Sequence, residues 1–182
     1  LVPQMRKLQD QEPGLTLELV PDARLLDLSK READLALRFA RPAAGGLRIK
    51  AQKLGSLAFD LFASATVAHT ALSDLPWILY EDARASLPQA RWLATAAERG
   101  AAADAPVKVA DIETAWAAAT HGLGKTLLPR ALAARDAALQ RVETQDQPPL
   151  PTRDVWLLSH ADQSERASIM AVKNWLNGLD WR

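Results

Sequence analysis

Short apolar runs typical of strands alternate with segments of helical spacing along most of this 182-residue chain. The runs PWILYE (76–81) and APVKVAD (105–111) are each followed by a helical pattern, LPQARWLATAAERG (87–100) and IETAWAAATHG (112–122) respectively. Such alternation is typical of β-α-β units, in which helices connect the strands of a mainly parallel sheet. The sequence therefore predicts an α/β fold.

The alternating strands and helices fall into two series along the chain. A first helix is predicted before Pro13 and a short one over ARLLDLSKREA (23–33), and the chain closes on a strand, DVWLLSH (154–160), and a long helix. Two series joined in this way predict two lobes, with the chain crossing from one to the other and returning. The remaining predicted strands are Leu15–Val20, Asp34–Ala40, a connecting strand in LRIKAQKLGS (47–56), Leu57–Ser64, KTLLP (125–129) and Ala138–Glu143.

Charge and cysteine content exclude several classes of function. Lys plus Arg and Asp plus Glu both number 22, so the chain lacks the basic field of a free-standing nucleic-acid binder. Cysteine is absent, which removes disulfides and thiolate metal sites. His69, His121 and His160 show no metal-ligand spacing, and no apolar run approaches the roughly 20 residues of a membrane span. We therefore expect no metal, no cofactor and no membrane association.

The segment HGLGKTLLP (121–129) contains Gly124-Lys125-Thr126, the letters that close a phosphate-binding P-loop. The P-loop also needs a glycine where Ala119 stands, and it must follow a strand and open a helix. The order here is reversed, so the segment is interpreted as a helix-to-strand corner with Lys125 pointing to solvent. No serine lies in a Gly-x-Ser-x-Gly elbow, and no catalytic function is expected.

A ligand site is expected just beyond the carboxyl ends of the predicted strands, as in other open parallel sheets. The loops in question are 39–41, 80–84 and 110–114. The candidate effector-binding residues are Arg38, Phe39, Arg41, Tyr80, Glu81, Asp82, Arg84, Asp111, Ile112 and Glu113.

Each candidate also has an alternative, purely structural interpretation. An arginine at position 38 or 41 could grip a carboxylate or simply lie on the surface. Tyr80 could pack its ring in the core, and Asp111 is placed to cap the helix that follows it. Glu81 and Asp82 would repel an anion and could hold an amine, so the charge of the ligand stays open.

The chain resembles a known family, the LysR-type transcriptional regulators, and specifically their C-terminal effector-binding domain. The resemblance covers most of the chain, in the family's order, and its most specific part is ADLALR joined to the HGLGKTLLP corner. The matching stretches are LVPQMRKLQDQEPGLTLEL, READLALRF, KLGSLAFDLFAS, VKVADIETAWAAATHGLGKTLLPRAL and WLLSH with IMAVKNWL.

The resemblance implies two Rossmann-like lobes with mainly parallel sheets, joined by two crossing hinge segments as in class II periplasmic binding proteins. Lobe I would comprise residues 1–62 plus 144–182 and lobe II residues 63–143. In the family a strand precedes the LVPQM helix and an N-terminal helix-turn-helix binds DNA; both are expected to be absent from this chain.

The function implied is that of a ligand-sensing domain in a bacterial transcription regulator. It would bind a small-molecule effector between the lobes, assemble as a homodimer or tetramer, contact DNA only through the N-terminal domain and reside in the cytoplasm. A periplasmic-type solute-binding protein is the alternative, and it predicts a signal peptide upstream in place of a helix-turn-helix.

Overall fold

The computed structural model describes residues 1–21, 28–42, 48–68, 72–100, 102–143 and 147–181. They form two compact units, Leu1–Gly55 with Asp154–Trp181 and Ser56–Arg153. The chain passes between the units twice, within two strands that are hydrogen-bonded neighbours. Compared with the lobe limits expected from the sequence, the first passage comes earlier than 62/63 and the second later than 143/144.

Five helices and seven strands are described. The helices are α1 (Met5–Gln11), α2 (Pro88–Arg99), α3 (Ile112–Thr120), α4 (Arg130–Ala133) and α5 (Ala167–Asn177), and short 3-10 turns cover Val2–Gln4, Leu28–Lys30, Asp82–Arg84 and Ala161–Gln163. The strands are β1 (Leu35–Arg38), β2 (Ile49–Ser64), β3 (Trp77–Tyr80), β4 (Asp104–Val109), β5 (Thr126–Pro129), β6 (Leu139–Arg141) and β7 (Thr152–His160). The two predicted strands between Leu47 and Ser64 are thus one continuous strand.

The first unit packs α1 and α5 around a small apolar core. Val172 and Leu176 lie one turn apart on α5 and are buried with Trp175, as the helical spacing of the sequence requires. Leu8 of α1 and Leu157 of β7 complete this core. Strand β1 runs antiparallel to β7, which brings the end of the predicted ADLALR strand beside Trp156.

The strand predicted at Leu15–Val20 is wrong, because these residues form no strand in the structure. Leu15 and Leu17 nevertheless pack against the first unit's core, while Leu19 and Val20 are exposed. An alternating pattern places side chains on a face, but a strand also needs a neighbouring strand to accept its hydrogen bonds. Of the helix predicted over residues 23–33, the structure describes the turn Leu28–Lys30, and residues 22–27 lie outside the described residues.

The second unit is built on the parallel pair β3 and β4, covered by α2 and α3. Fully buried Ile78 and Leu93 join this pair to α2, and the wholly buried strand β5 continues the core. Strand β5 pairs antiparallel with β2, and β6 pairs antiparallel with β2 as well.

The prediction of mainly parallel sheets is wrong for the described strands. β3 and β4 form a parallel ladder, and Trp77 and Lys125 form a parallel bridge, whereas β1–β7, β2–β5 and β2–β6 are antiparallel. The order of elements along a chain predicts where strands occur. Their relative direction depends on which strands become neighbours, and that is decided by contacts between residues far apart in sequence.

The corner between α3 and β5 confirms the interpretation of its glycines. Gly122 has a φ of 77° and lies just after the helix end. Its N–H donates to Ala119 O and the N–H of Leu123 donates to Ala118 O, each at 3.0–3.1 Å. This pair of bonds is a Schellman motif, which needs a residue in the left-handed conformation.

Lys125, by contrast, does not point to solvent as predicted. It is 4% exposed, its ammonium donates to Ser73 O at 2.6 Å and to Leu72 O at 3.3 Å, and it lies 4.3 Å from the centre of the Trp77 ring. The Thr126 hydroxyl donates to Ile78 O at 3.2 Å. Carbonyl oxygens and an indole face therefore replace water around the lysine, and neither side chain is placed to bind phosphate.

Candidate functional site

Seven of the ten predicted site residues lie at one edge of the second unit. Because β3 and β4 are parallel, their carboxyl ends meet at this edge, and the N–H of Glu81 donates to Val109 O at 3.0 Å to hold them together. Strand β3 ends at Tyr80, and α3 begins soon after β4. The edge therefore carries Tyr80, Glu81, Asp82, Arg84, Asp111, Ile112 and Glu113, which we call the β3–β4 edge.

Tyr80 is the most deeply placed polar residue that the sequence analysis selected at this edge. The residue is only 7% exposed and its ring belongs to the core. Its hydroxyl forms no hydrogen bond within 3.5 Å, and at a longer distance it interacts with the side chain of Gln89. Burial raises the pKa of the phenol, hydrogen bonding with the Gln89 side chain and the positive charge of Arg153 lower it, and the negative charge of Asp111 raises it. The hydroxyl therefore stays protonated at neutral pH and can donate a hydrogen bond.

Gln89 belongs to the same site and was missed by the sequence analysis. It lies in the first turn of α2, is 1% exposed, and its Oε1 atom forms no hydrogen bond within 3.5 Å. Together with Leu93 and Ala96 it occupies the buried stripe of this helix. A glutamine at a position where an amphipathic helix normally carries an apolar residue was the signal that could have identified it.

Arg153, also missed, lies close enough to Tyr80 for their charges to interact. Burial lowers the pKa of its guanidinium, and the interaction with Tyr80 acts in the opposite direction. Arg153 is the second residue of β7, where an arginine beside a polar stretch looks like an ordinary surface residue. Only the folded chain lets its charge act on Tyr80, because the two positions are far apart in sequence.

Arg84 contributes a second guanidinium to the β3–β4 edge. Its Nε atom is buried without a hydrogen-bond partner, although Glu81 Oε1 lies 3.8 Å away, within ion-pair range. The charge of Arg84 also acts on Asp111. Three buried polar atoms that form no hydrogen bond within 3.5 Å therefore belong to residues of this edge or its immediate neighbour α2: Tyr80 Oη, Gln89 Oε1 and Arg84 Nε.

The acidic residues of the edge are more exposed and have partners. The Asp82 side chain is 96% exposed and lies 3.2 Å from the ammonium of Lys108. Asp111 Oδ1 accepts the N–H of Thr114 at 2.7 Å, which caps α3 as the sequence predicts. This bond is the main cause of the lowered pKa of Asp111. None of these carboxylates lies at the depth of Tyr80.

Ile112 and Glu113 differ in what they contact. Ile112 is half-buried and packs against the second unit's core. Glu113 lines a shallow cleft of about 600 Å³ together with residues of α3 and the turn after α4. The other residues lining this cleft are Trp116, Ala117, Thr120, His121, Asp136 and Ala138, and none of them belongs to the set around Tyr80.

The remaining three predicted site residues, Arg38, Phe39 and Arg41, belong to the first unit. Arg38 is the last residue of β1 and is half-buried, and Phe39 is 43% exposed. The guanidinium of Arg41 lies 5.9 Å from the centre of the Trp156 ring. This stacking gives Arg41 a structural partner of its own.

The described residues offer neither a metal site nor a membrane span. No cluster of three or more His, Cys, Asp or Glu side chains there could hold a metal ion. No described helix has the length and apolar character to cross a membrane. His121 ends α3 with its Nδ1 2.9 Å from Ala117 O, His160 Nδ1 accepts the N–H of Asp162, and His69 lies outside the described residues.

Comparison with known families gives a match over nearly the whole chain. The model of the LysR substrate binding domain matches residues 1–179. No curated protein sequence matches the chain.

Solved structures with the same fold are available, at low sequence identity. The regulatory domain of CrgA, a LysR-type transcriptional regulator from Neisseria meningitidis, is 17% identical with a TM-score of 0.73, covering 97% of this chain and 89% of that one. The effector domain of AmpR from Pseudomonas aeruginosa is 18% identical with a TM-score of 0.66, at 97% and 85% coverage. A structure of CrgA is 19% identical with a TM-score of 0.74, and this chain spans only 62% of its length.

Proposed function

The chain belongs to the LysR substrate binding domain family, and from that premise we propose that it senses a small-molecule effector at the β3–β4 edge for a transcription regulator. The observation that supports this assignment is the group of buried polar atoms there that form no hydrogen bond within 3.5 Å, on Arg84, Tyr80 and Gln89; the last two interact with each other only beyond that distance. A buried polar atom without a partner costs about 1–3 kcal/mol of stability. A ligand that supplies the missing partners recovers this free energy on binding.

The seven candidate residues of the edge divide into three roles in this proposal: effector contact, exposed rim and support of the start of α3. Tyr80 and Arg84, joined by Gln89 and Arg153, contact the effector. Glu81 and Asp82 lie at the exposed rim, and Asp111 and Ile112 hold the start of α3 in place. Arg38, Phe39 and Arg41 of the first unit stay effector-binding candidates on the sequence alone, and Glu113 is proposed as a rim residue.

The proposed output is regulatory and not catalytic. An effector changes a regulator only if it binds one conformational state more tightly than another, and the same coupling must change the affinity for DNA. We propose that this chain acts in a homodimer or tetramer in the cytoplasm, with DNA held by a separate N-terminal helix-turn-helix domain. Under the alternative of a solute-binding protein, ligand binding would have no effect on DNA.

A thermal-shift screen of the chain against small acids, amines and aromatic compounds tests for the effector. A ligand at a hundredfold excess over its Kd stabilises by about 2.7 kcal/mol, which for a domain of this size raises Tm by about 5–10 °C. Arg41→Ala serves as a probe of the first unit, and Tyr80→Ala of the second. If the Tyr80→Ala variant keeps full affinity for the ligand, the effector does not bind at the β3–β4 edge.

A second measurement separates the regulator from the solute-binding alternative. The stabilising compound is added to the full-length protein that carries this chain, and operator binding is followed by fluorescence anisotropy. We expect the midpoint of DNA binding to shift at least about fivefold, the lower end of typical allosteric coupling. A ligand that stabilises the chain but leaves DNA binding unchanged would favour the alternative.

A further inference from the structure

We propose that the short segment after α5, residues 178–181, clamps strand β2 and restricts its bending at the point where the strand passes from the first unit to the second. We call this segment the α5 clamp. Its importance rests on the proposed function, because a sensing domain must move between conformational states for its ligand to have an effect. The clamp sets how easily this chain makes that movement.

Gly55 lies in the interior of β2 and marks the place where the clamp touches the strand. A glycine weakens a strand, and it often lies where another group approaches the backbone closely. Here that group is Trp181, because a Cβ atom added to Gly55 would lie 2.6 Å from the Cβ of Trp181 and 3.3 Å from its Cγ. Gly55 is also the last residue of the first unit before β2 enters the second. The contact therefore falls at the residue where the chain changes unit.

Trp181 is held in place by further contacts within the first unit. Its indole N–H donates to Leu176 O at 3.0 Å, in the last turn of α5. The ring is half-buried, and it packs against the first unit's core, as do Leu54 of β2 and Leu179. Segments outside helices and strands fray easily unless side chains hold them in place. The indole supplies such a hold, and it lies beyond the residues that the family model matches.

The part of β2 that belongs to the first unit has few buried side chains to fix it. Residues 50–53 are exposed, whereas β2 is buried in the second unit's core from Phe59 onward. Gln52 donates to Asn177 Oδ1 at 2.7 Å, and Lys53 Nζ lies 2.7 Å from Asp154 Oδ1, but these contacts face water. Exposed polar pairs contribute little, because water competes for both partners. The apolar ring on the backbone therefore matters most just before the crossing.

The clamp has two discrete arrangements, with the ring seated on Gly55 or released from it. Release exposes an indole that is already half in water, and water can replace the N–H that Leu176 O then loses. With the ring seated, β2 bends only beyond residue 55; with the ring released, bending extends into residues 52–55. An effector that favours one arrangement shifts the population of the other.

Hydrogen exchange of the ligand-free chain tests whether the ring protects β2. Trp181→Ala removes the ring, and Trp116→Ala is the matched control, because Trp116 is also half-buried and also donates a hydrogen bond, to Asp136 Oδ2 at 2.6 Å. We expect Trp181→Ala to speed exchange at residues 53–57 by about tenfold or more, and the control to leave it unchanged. Unchanged exchange at these residues would overturn the proposal. Equal acceleration throughout α5 and β7 would show a general loss of stability in the first unit and would also overturn it.

Distances between spin labels test the consequence for the two units. The chain has no cysteine, so Asn174→Cys on α5 and Ala94→Cys on α2, both at exposed positions, place one label on each unit. We expect Trp181→Ala to broaden the distribution of distances between the labels, and Trp116→Ala to leave its width unchanged. A distribution as narrow as that of the wild type would refute the clamp, even if exchange in β2 had increased.

Gly55→Ala tests the same contact from the strand. The two Cβ atoms would collide, so this substitution should expel the ring and reproduce the faster exchange of Trp181→Ala. Trp181→Ala would not relieve the collision, because alanine keeps the Cβ atom, whereas Trp181→Gly would. In the Trp181→Gly chain we expect Gly55→Ala to add little to the exchange rate of β2. Effects that add in full would contradict the proposal.

These outcomes are separate from those of the proposed function. The exchange, label and glycine measurements use no ligand, so their failure would overturn the clamp and leave effector sensing at the β3–β4 edge standing. A thermal-shift screen that finds no ligand would count against the proposed function and would change none of the results expected for Trp181.

Discussion

Replacement of Lys125 by methionine tests how this chain holds a buried charge at the corner before β5. Lys125 is 4% exposed and its ammonium has three favourable contacts, two with carbonyl oxygens and one with the Trp77 ring. Burial lowers the pKa of this lysine, and Asp74 acts in the opposite direction. Methionine keeps the unbranched shape of the side chain while removing its charge and its donors.

The magnitude follows from the contacts that methionine cannot make. The bond to Ser73 O, at 2.6 Å, is short and charge-assisted, and such bonds contribute about 1.5–3 kcal/mol. The Leu72 bond is longer at 3.3 Å, and a cation over an indole contributes about 0.5–2 kcal/mol. Methionine carries no charge that must be removed from water, which offsets part of this loss. The two carbonyl oxygens, however, then lose their hydrogen-bond donor. We expect a net loss of about 3 kcal/mol.

The assay is thermal and urea unfolding followed by tryptophan fluorescence, to which Trp77 contributes. A loss of about 3 kcal/mol corresponds to a decrease in Tm of about 6–12 °C for a domain of this size. Lys108→Met is the matched control, because that lysine is more than half exposed and its exposed ion pair contributes about 0–1 kcal/mol. A Lys125→Met chain as stable as the wild type would show that desolvation cancels the contacts, and our reasoning would be wrong.

Three further predictions concern residues around the same elements. Asp111→Ala should lower the free energy of unfolding by about 1 kcal/mol at pH 7, whereas Asp111→Asn should retain the cap. Because the pKa of Asp111 is lowered from 3.8, the difference in stability between the wild type and Asp111→Ala should be present above pH 3.8. That difference should disappear as the pH falls through the lowered pKa, which unfolding measured across acidic pH would reveal. Gly124→Ala should lower the free energy of unfolding by about 1–3 kcal/mol, since the new Cβ would overlap the Pro76 carbonyl oxygen. Gly122→Ala has open space but a φ of 77°, and it should lower the free energy of unfolding by about 1 kcal/mol. Equal losses of stability in urea unfolding would contradict this account. MgATP should change the Tm by less than about 1 °C, because the Lys125 and Thr126 side chains are occupied by backbone carbonyls; clear stabilisation would revive the nucleotide hypothesis.

Much of the second unit could be predicted from periodicity and from residues at element ends. The predicted strand PWILYE corresponds to β3, and the helix that should follow it corresponds to α2, beginning at Pro88. Asp111 caps α3 and Gly122 ends it, as their chemistry predicts. These features depend on interactions within a few residues of each other, and the local sequence contains all of the information they need.

The candidate site was predictable in position but not in composition. Two parallel strands bring their carboxyl ends together, so the grouping of residues 80–84 with 110–113 follows from the alternation of elements. Gln89 and Arg153 were not predicted because neither follows a strand's carboxyl end; Gln89 is a candidate because it is buried, and Arg153 because its charge acts on Tyr80. Lys125 was placed in solvent for the same reason: nothing near it in sequence reveals the carbonyl oxygens of residues 72 and 73.

The amino-acid order alone determined the α/β class, the family and the places where helices start and stop, since these depend on hydrophobic period, capping and turn chemistry over short distances. Only the tertiary structure decided that most strand pairs are antiparallel, that residues 15–20 form no strand, and which buried polar atoms at the end of β3 form no hydrogen bond within 3.5 Å. Strand pairing and burial depend on residues brought together from distant positions, and the free energy of a buried polar group is set by those neighbours.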